Sequence, residues 1–185
     1  MSAISYRRPM PEEAVAFAAL HVQCWRESYR DYVPPELMAS FSTEKRLPMW
    51  EAVLATAERI VIGAYADGAP CGFIIAGASP EKLIEKQDGH VWALYIAKAQ
   101  HRRGIGRMLM SLVAQKWLGR GGHSFTIGVL RANEPARAFY EELGSVLVME
   151  GIYDWDGSQL ADCVYFLDTA HLLELAAARK SQPPV

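Results

Sequence analysis

No stretch of this chain stays apolar for long. Its 185 residues contain no unbroken apolar run of the roughly 18 residues that a membrane-spanning helix needs. The N-terminus, MSAISYRRPMPEEA, has no apolar core of the kind a secretory signal carries. Cysteine is scarce: Cys24, Cys71 and Cys163 are far apart, form no C-x-x-C pair and have no metal-ligand spacing. They read as free, buried thiols in a reducing compartment, and no metal is expected. Neither sign of charge prevails, with a formal net charge of −2, which excludes a broad nucleic-acid-binding face. Internal repeats and low-complexity tracts are absent as well. The expectation is a soluble cytoplasmic protein with neither a nucleic acid nor a membrane as partner.

What the chain does have is an apolar half, with five Trp and eight Tyr, enough for a full core. One domain over residues 1–180 is expected, with 181–185 (SQPPV) a frayed tail. Residues 3–8 read as a strand ended by Pro9 and Pro11. Residues 12–30 read as a helix, because Val15, Ala18, Ala19, Val22 and Trp25 recur at helical spacing. VPPEL at 33–37 breaks the chain, and a second helix follows from Thr43 to Ala57, with Ser42 or Thr43 as N-cap. In 59–79, two β-branched and aromatic runs flank Asp67-Gly68, the pattern of a hairpin. After a polar loop at 80–89 come a strand at 90–97, a helix at 104–118 and a strand at 123–130. Asn133 caps a short helix at 134–142, with Pro135 tolerated in the first turn. Strands near 145–152 and 161–168 and a helix near 170–179 complete an α/β layer structure with a mixed central sheet of about seven strands.

The stretch HRRGIGRMLM, from position 101, carries the clearest chemistry. A strand ends, a glycine-containing turn follows and an amphipathic helix begins. Helix N-termini have unpaired amides and partial positive charge, and glycine lets a ligand approach the backbone. With Arg102, Arg103 and Arg107 this makes an anion site suited to phosphate. A Walker A loop is excluded because its Lys and hydroxyl are missing. A dinucleotide fingerprint is excluded because its third glycine is Leu109. The diphosphate arm of coenzyme A remains.

LYIAKAQHRRGIGRMLM (94–110), followed by NEPARAFYEELG (133–144), resembles the GCN5-related N-acetyltransferase (GNAT) superfamily. That family shows a strand, a Q/R-x-x-G-x-G/A loop, a helix, a strand and an Asn-led helix ending in F-Y-E-x-L-G. The matched core spans about 90–144. The resemblance implies a single-domain GNAT fold and acetyl-CoA as co-substrate, with no metal. It implies pyrophosphate binding by the amides of Arg102, Arg103, Gly104, Ile105, Gly106 and Arg107. The family's first motif residue, Gln or Arg, is His101 here, a departure that leaves the amides in place. Leu94, Tyr95 and Ile96 match the segment that pairs with the pantetheine arm where two parallel strands splay, with the Ile96 amide facing the thioester oxygen. Asn133 matches the Asn that bonds the cofactor, and Tyr140 the tyrosine that protonates the leaving thiolate.

The base is less determined. Histone-acetylating members use a Glu whose position corresponds to His90, an imidazole that titrates near neutrality. Ribosomal-protein-acetylating members carry a Glu five residues before the motif Asn, which is Gly128 here and argues against that substrate class. A water wire with no dedicated base is the remaining route. In the family the N-terminal helices wall the acceptor site. Trp25, Tyr29 and Tyr32 are the candidates, with Glu27 or Asp31 to attract an ammonium, and Trp92 and YDWD (153–156) beside them. The spacing of 25, 29 and 32 is also that of ordinary helix packing. Aromatic residues with a few carboxylates favour a cationic or aromatic amine, and the lack of an extra docking domain or an obvious acidic groove favours a small molecule over a protein. The competing classes are a protein acetyltransferase, an acyl-CoA-binding module without turnover and an ATP binder. A homodimer through the C-terminal strands and helix is expected by analogy.

Overall fold

The computed structural model describes residues 3–79, 84, 88–155 and 157–180. The tail at 181–185, most of the loop expected at 80–89 and Asp156 lie outside the described residues. Seven strands form one sheet: β1 (Ile4–Arg7), β2 (Ile60–Ala66), β3 (Ala69–Ala78), β4 (Gly89–Ile96), β5 (Ser124–Leu130), β6 (Val146–Trp155) and β7 (Ser158–Asp168). Their spatial order is β1-β2-β3-β4-β5-β7-β6. Every neighbouring pair is antiparallel except β4 and β5. This is the mixed seven-stranded α/β sheet that the sequence predicts.

Six helices cover the sheet: α1 (Ala14–Tyr29), α2 (Pro35–Ser40), α3 (Thr43–Ala55), α4 (Ile105–Leu118), α5 (Glu134–Glu142) and α6 (Thr169–Lys180). On one face α1 and α3 bury Phe17, Trp50 and Leu54 against Val61, Phe73 and Ile75. On the other, α4 buries Ile105, Leu109 and Val113 against Ile62, Ile74, Ile127 and Tyr165. With both faces covered, β2 and β3 are continuous apolar runs rather than alternating ones. Asp67 and Gly68, at φ 49° and 83°, make the turn between them. Both angles are positive, as the tightest hairpins require.

Two local readings change. VPPEL opens a helix rather than only breaking the chain: Pro35 is the first residue of α2, where no amide donor is needed. The last hairpin is longer than its apolar core, because pairing runs on to Trp155 and Ser158 through residues whose polarity reads as a turn. Strand β6 is one of the sheet's two edges, opposite β1, and exposes Val146, Leu147, Ile152 and Tyr153. All three cysteines are free and buried. Among the described residues no helix is long and apolar enough to cross a membrane.

The parallel pair sets up everything that follows. Only His90↔Thr126 and Val91↔Ile127 are in register between β4 and β5. Asp88 holds the paired end. Its carboxylate accepts from the Trp117 indole (3.0 Å) and from the His123 (2.7 Å) and Ser124 (2.9 Å) amides. Burial works to raise the Asp88 carboxyl, but these bonds outweigh it and hold it below its ordinary value. Past Val91 a bulge in the β3–β4 ladder re-aims β4, and the two parallel strands part.

His21 is a buried polar group in the same layer. Its ring lies 5.1–5.4 Å from those of Phe41, Phe73 and Tyr95. Burial, helped by the Arg46 charge, depresses its pKa from 6.5 to about 3, so it is folded in neutral. The unfolded chain therefore takes up this proton first as pH falls. The contribution to stability is complete above pH 6.5 and is lost towards pH 3. Compared by urea unfolding with His21→Leu, the wild type should lose about 1.4 kcal/mol per pH unit across that window. A difference independent of pH contradicts this placement.

Candidate active site

Strand β4 runs on beyond its last partner in β5. The Ala97 amide donates to the Cys71 carbonyl of β3 (2.9 Å). Strand alternation then turns the Leu94 and Ile96 amides the other way, into the gap left by β5. A single 3-10 turn at Lys98–Gln100 leads into the glycine loop. The His101 ring meets the Ile96 carbonyl (2.9 Å), tying the loop to the strand end. Arg102 (φ 62°) and Gly104 (φ 74°) are both left-handed, and this curls the backbone into a concave turn. The first bond of α4 runs from the Met108 amide to the Gly104 carbonyl. The Ile105, Gly106 and Arg107 amides precede it and have no acceptor within the helix.

The two glycines act differently. Around Gly104 a Cβ would meet nothing within 4 Å, so the residue is there for its φ. At Gly106 a Cβ would sit 3.2 Å from Phe139 and 3.3 Å from Ile96, so the missing side chain lets α5 and the strand end close on α4.

These pieces border one cleft of about 780 Å³, within the range of small-molecule sites. Leu94, Tyr95, Ile96, Arg102, Gly104, Ile105, Gly106 and Arg107 all line it. Arg103 does not. Its guanidinium donates to the Gln100 side chain and stands within electrostatic reach of Tyr6 and Cys71. Arg107 is shared with Glu142, at 3.2 Å.

From the other side α5 brings Asn133 and Tyr140 to the cleft. Asn133 caps the helix, its side-chain oxygen accepting from the Ala136 amide (3.2 Å). Tyr140 is buried, and among the described residues nothing hydrogen-bonds its hydroxyl. Burial first, and then the nearby Tyr29, push the phenol's pKa well above its ordinary value, so it is a proton donor at any physiological pH. Tyr95, partly buried, shifts the same way and donates to the Tyr29 oxygen at 3.5 Å.

The acceptor side departs from expectation. Trp25 does not line the cleft. It is fully buried and stacks on Phe41 at 4.2 Å with rings 7° from parallel. Tyr29, Tyr32 and Trp92 do line it. Trp92 also packs under the Arg59 guanidinium, 4.2 Å from its ring centre. Glu27 and Asp31 both line the cleft; the Glu27 oxygens accept from the Lys98 amide (2.8 Å) and the Gln23 side chain (3.0 Å), whereas Asp31 is exposed at its rim. Of YDWD, Trp155 packs 5.1 Å from Trp25 in the same aromatic cluster and Asp156 lies outside the described residues. His90 is not among the cleft-lining residues. Its Nδ1 is 2.8 Å from the Thr126 hydroxyl, and burial lowers its pKa.

One carboxylate went unread. Asp162 shares a face of β7 with Leu160 and Val164, and a lone charge in that alternation is the signal for it. Its Oδ2 is 3.5 Å from where a Gly128 Cβ would be. Among the described residues no cluster of His, Cys, Asp or Glu could hold a metal ion.

Residues 15–145 match the model of the acetyltransferase (GNAT) family. The chain belongs to that family. It is 24% identical to YuaI of Bacillus subtilis, an uncharacterized N-acetyltransferase, over 86% of this chain and 90% of that one. Its fold is similar to PaiA N-acetyltransferase from Thermoplasma acidophilum, solved with coenzyme A: TM-score 0.66, 20% identity, covering 90% of this chain and 99% of that one. It is also similar to yncA of Salmonella typhimurium, solved with acetyl-CoA: TM-score 0.68, 16% identity, covering 91% and 95%. Between this GNAT chain and those structures the likeness is one of fold.

The contrast between two aromatic residues on neighbouring elements is testable. In urea unfolding Trp25→Ala should cost about 3–5 kcal/mol, and Tyr32→Ala, on the surface, at most about 0.5 kcal/mol. Equal, small losses would return Trp25 to the cleft.

Proposed function

We propose that this GNAT chain transfers an acetyl group from acetyl-CoA directly to the primary amine of a small molecule, within a ternary complex. The observation that carries this reading is the parting of β4 from β5, which opens onto the unpaired amides at the start of α4 and has Tyr140 on its inner wall. The residues fit coenzyme A chemically. A diphosphate suits the Ile105, Gly106 and Arg107 amides and the Arg102 charge, and the bare Leu94 and Ile96 amides suit an amide-rich arm laid beside β4. Coenzyme A in PaiA and acetyl-CoA in yncA support the same ligand here.

The acetyl thioester is a substrate in this reading. The Ile96 amide faces its carbonyl oxygen and stabilises the charge that develops there. Tyr140, kept protonated by burial, gives its proton to the departing thiolate. A small amine is favoured over a protein by the form of the acceptor side: an inward cleft bounded by the Tyr29, Tyr32 and Trp92 rings.

Thiol release from acetyl-CoA with a panel of primary amines tests the reading. The wild type should release thiol with at least one small amine. Tyr140→Phe should bind acetyl-CoA as before and turn over about 100-fold more slowly or worse. Turnover by Tyr140→Phe at the wild-type rate would remove the phenol from the chemistry. Thiol release with peptides alone would reassign the acceptor.

A further inference from the structure

Asp162 is held in a way no packing argument requires. It opposes Gly151 of β6, and Gly128 lies diagonally from it on β5, two residues from its direct partner Leu130. A Cβ at Gly151 would meet nothing within 4 Å, and a Cβ at Gly128 would meet only Asp162 Oδ2. The carboxylate is therefore open towards β6 and towards the Gly128 end of β5, with Leu130 beside it as the direct partner. Asp162 is not itself among the cleft-lining residues, but Gly128 is exposed at the cleft wall, so the carboxylate stands directly behind that gap in the wall. Tyr29, at the end of α1, is within electrostatic reach of the carboxylate and also of Tyr140. Leu160, on the same face of β7, packs into the aromatic cluster that holds Trp155.

The Cys163 and Val129 amides face the Asp162 carboxylate and partly offset its burial, but among the described residues no cation pairs with it and no side chain hydrogen-bonds it. A half-buried carboxylate without a counter-charge is costly to keep. The glycines on either side leave room for a cation to approach. The Tyr29, Tyr32 and Trp92 rings, which line the cleft, suit an apolar or aromatic body attached to it.

We propose that Asp162 anchors the acceptor's ammonium group and takes its first proton, so that the acceptor is a cationic amine with an apolar or aromatic body and no carboxylate of its own. This rests on the acetyl-transfer reading. Asp162 accepts one proton from R–NH3+, and the free amine then attacks the thioester carbon. The C–N bond forms and the C–S bond breaks. The thiolate takes the Tyr140 proton, and the resulting phenolate takes the second proton from the nitrogen. The products are the amide and the thiol, and Asp162 later loses its proton to water. Burial lifts the Asp162 carboxyl to about 6, which leaves it ionised at neutral pH yet a better base than an exposed carboxylate.

The test compares two acceptors at neutral pH, with acetyl-CoA affinity measured for every variant. 2-Phenylethylamine arrives as an ammonium ion, and aniline arrives uncharged. Asp162→Asn should bind acetyl-CoA like the wild type, lose about 100-fold or more in kcat/KM for 2-phenylethylamine and keep its rate with aniline. Asp162→Ser carries the same expectation and serves if the amide does not fit. Unchanged turnover of 2-phenylethylamine, equal loss with both amines, or wild-type transfer only to amines bearing a carboxylate would each overturn the proposal. If wild type binds acetyl-CoA yet acetylates no amine, the transferase reading fails first and this one with it.

Discussion

Two parallel strands that start together and then part are the constraint on which the rest of the molecule depends. A parallel pair normally gains from every added residue, yet β4 and β5 keep two registered positions. Asp88 fixes the closed end by collecting the Trp117 indole and the His123 and Ser124 amides at the start of β5. Beyond Val91 β4 continues alone on that side, while β7 continues the sheet on the far side of β5. The unpaired β4 amides would be a defect in a closed sheet. At the wall of an open cleft they become donors for a ligand.

What lines the opening follows from the two layers it separates. Helix α4 starts directly under the gap and brings its free amides there, and α5, held close by the missing Gly106 side chain, brings Tyr140. On the opposite face α1 ends in the aromatic cluster of Trp25, Tyr29, Phe41 and Trp155. The same burial has opposite uses on its two kinds of acid. It keeps the Tyr140 and Tyr95 phenols protonated, and it lifts Asp162 to about 6, the range where a carboxylate exchanges protons with an amine more readily. The protonation of these phenols and of this carboxyl is thus set by burial rather than by charged partners.

The sequence was most legible where signals are local. The Asp67-Gly68 turn, the Asn133 cap and the amphipathic pattern of α4 each involve a few adjacent residues, and all three elements form as read. The order of elements and the mixed sheet followed from them. Legibility failed where a side chain's surroundings come from distant parts of the chain. Trp25, Tyr29 and Tyr32 share helical spacing, but only the packing of Phe41 and Trp155 decides that Trp25 is core while the other two border the cleft. Arg103 looked equivalent to Arg102 until the left-handed backbone at 102 separated their directions. His90 is drawn to Thr126 by a parallel pairing that no local pattern reveals. The environment of Asp162 depends on three strands, two of them joined only through the β5–β7 pairing, so its glycine neighbours cannot be seen in one dimension.

The central claim is that the gap beside β4 and the free amides of α4 hold coenzyme A. Calorimetric titration with acetyl-CoA, with ATP as the control ligand, tests it most directly. The account predicts saturable binding of acetyl-CoA at one site per chain and none of comparable strength for ATP, because the loop lacks the lysine and hydroxyl that grip a nucleoside triphosphate. Equal binding of both ligands would make the loop a general phosphate site, and absence of acetyl-CoA binding would contradict the account outright.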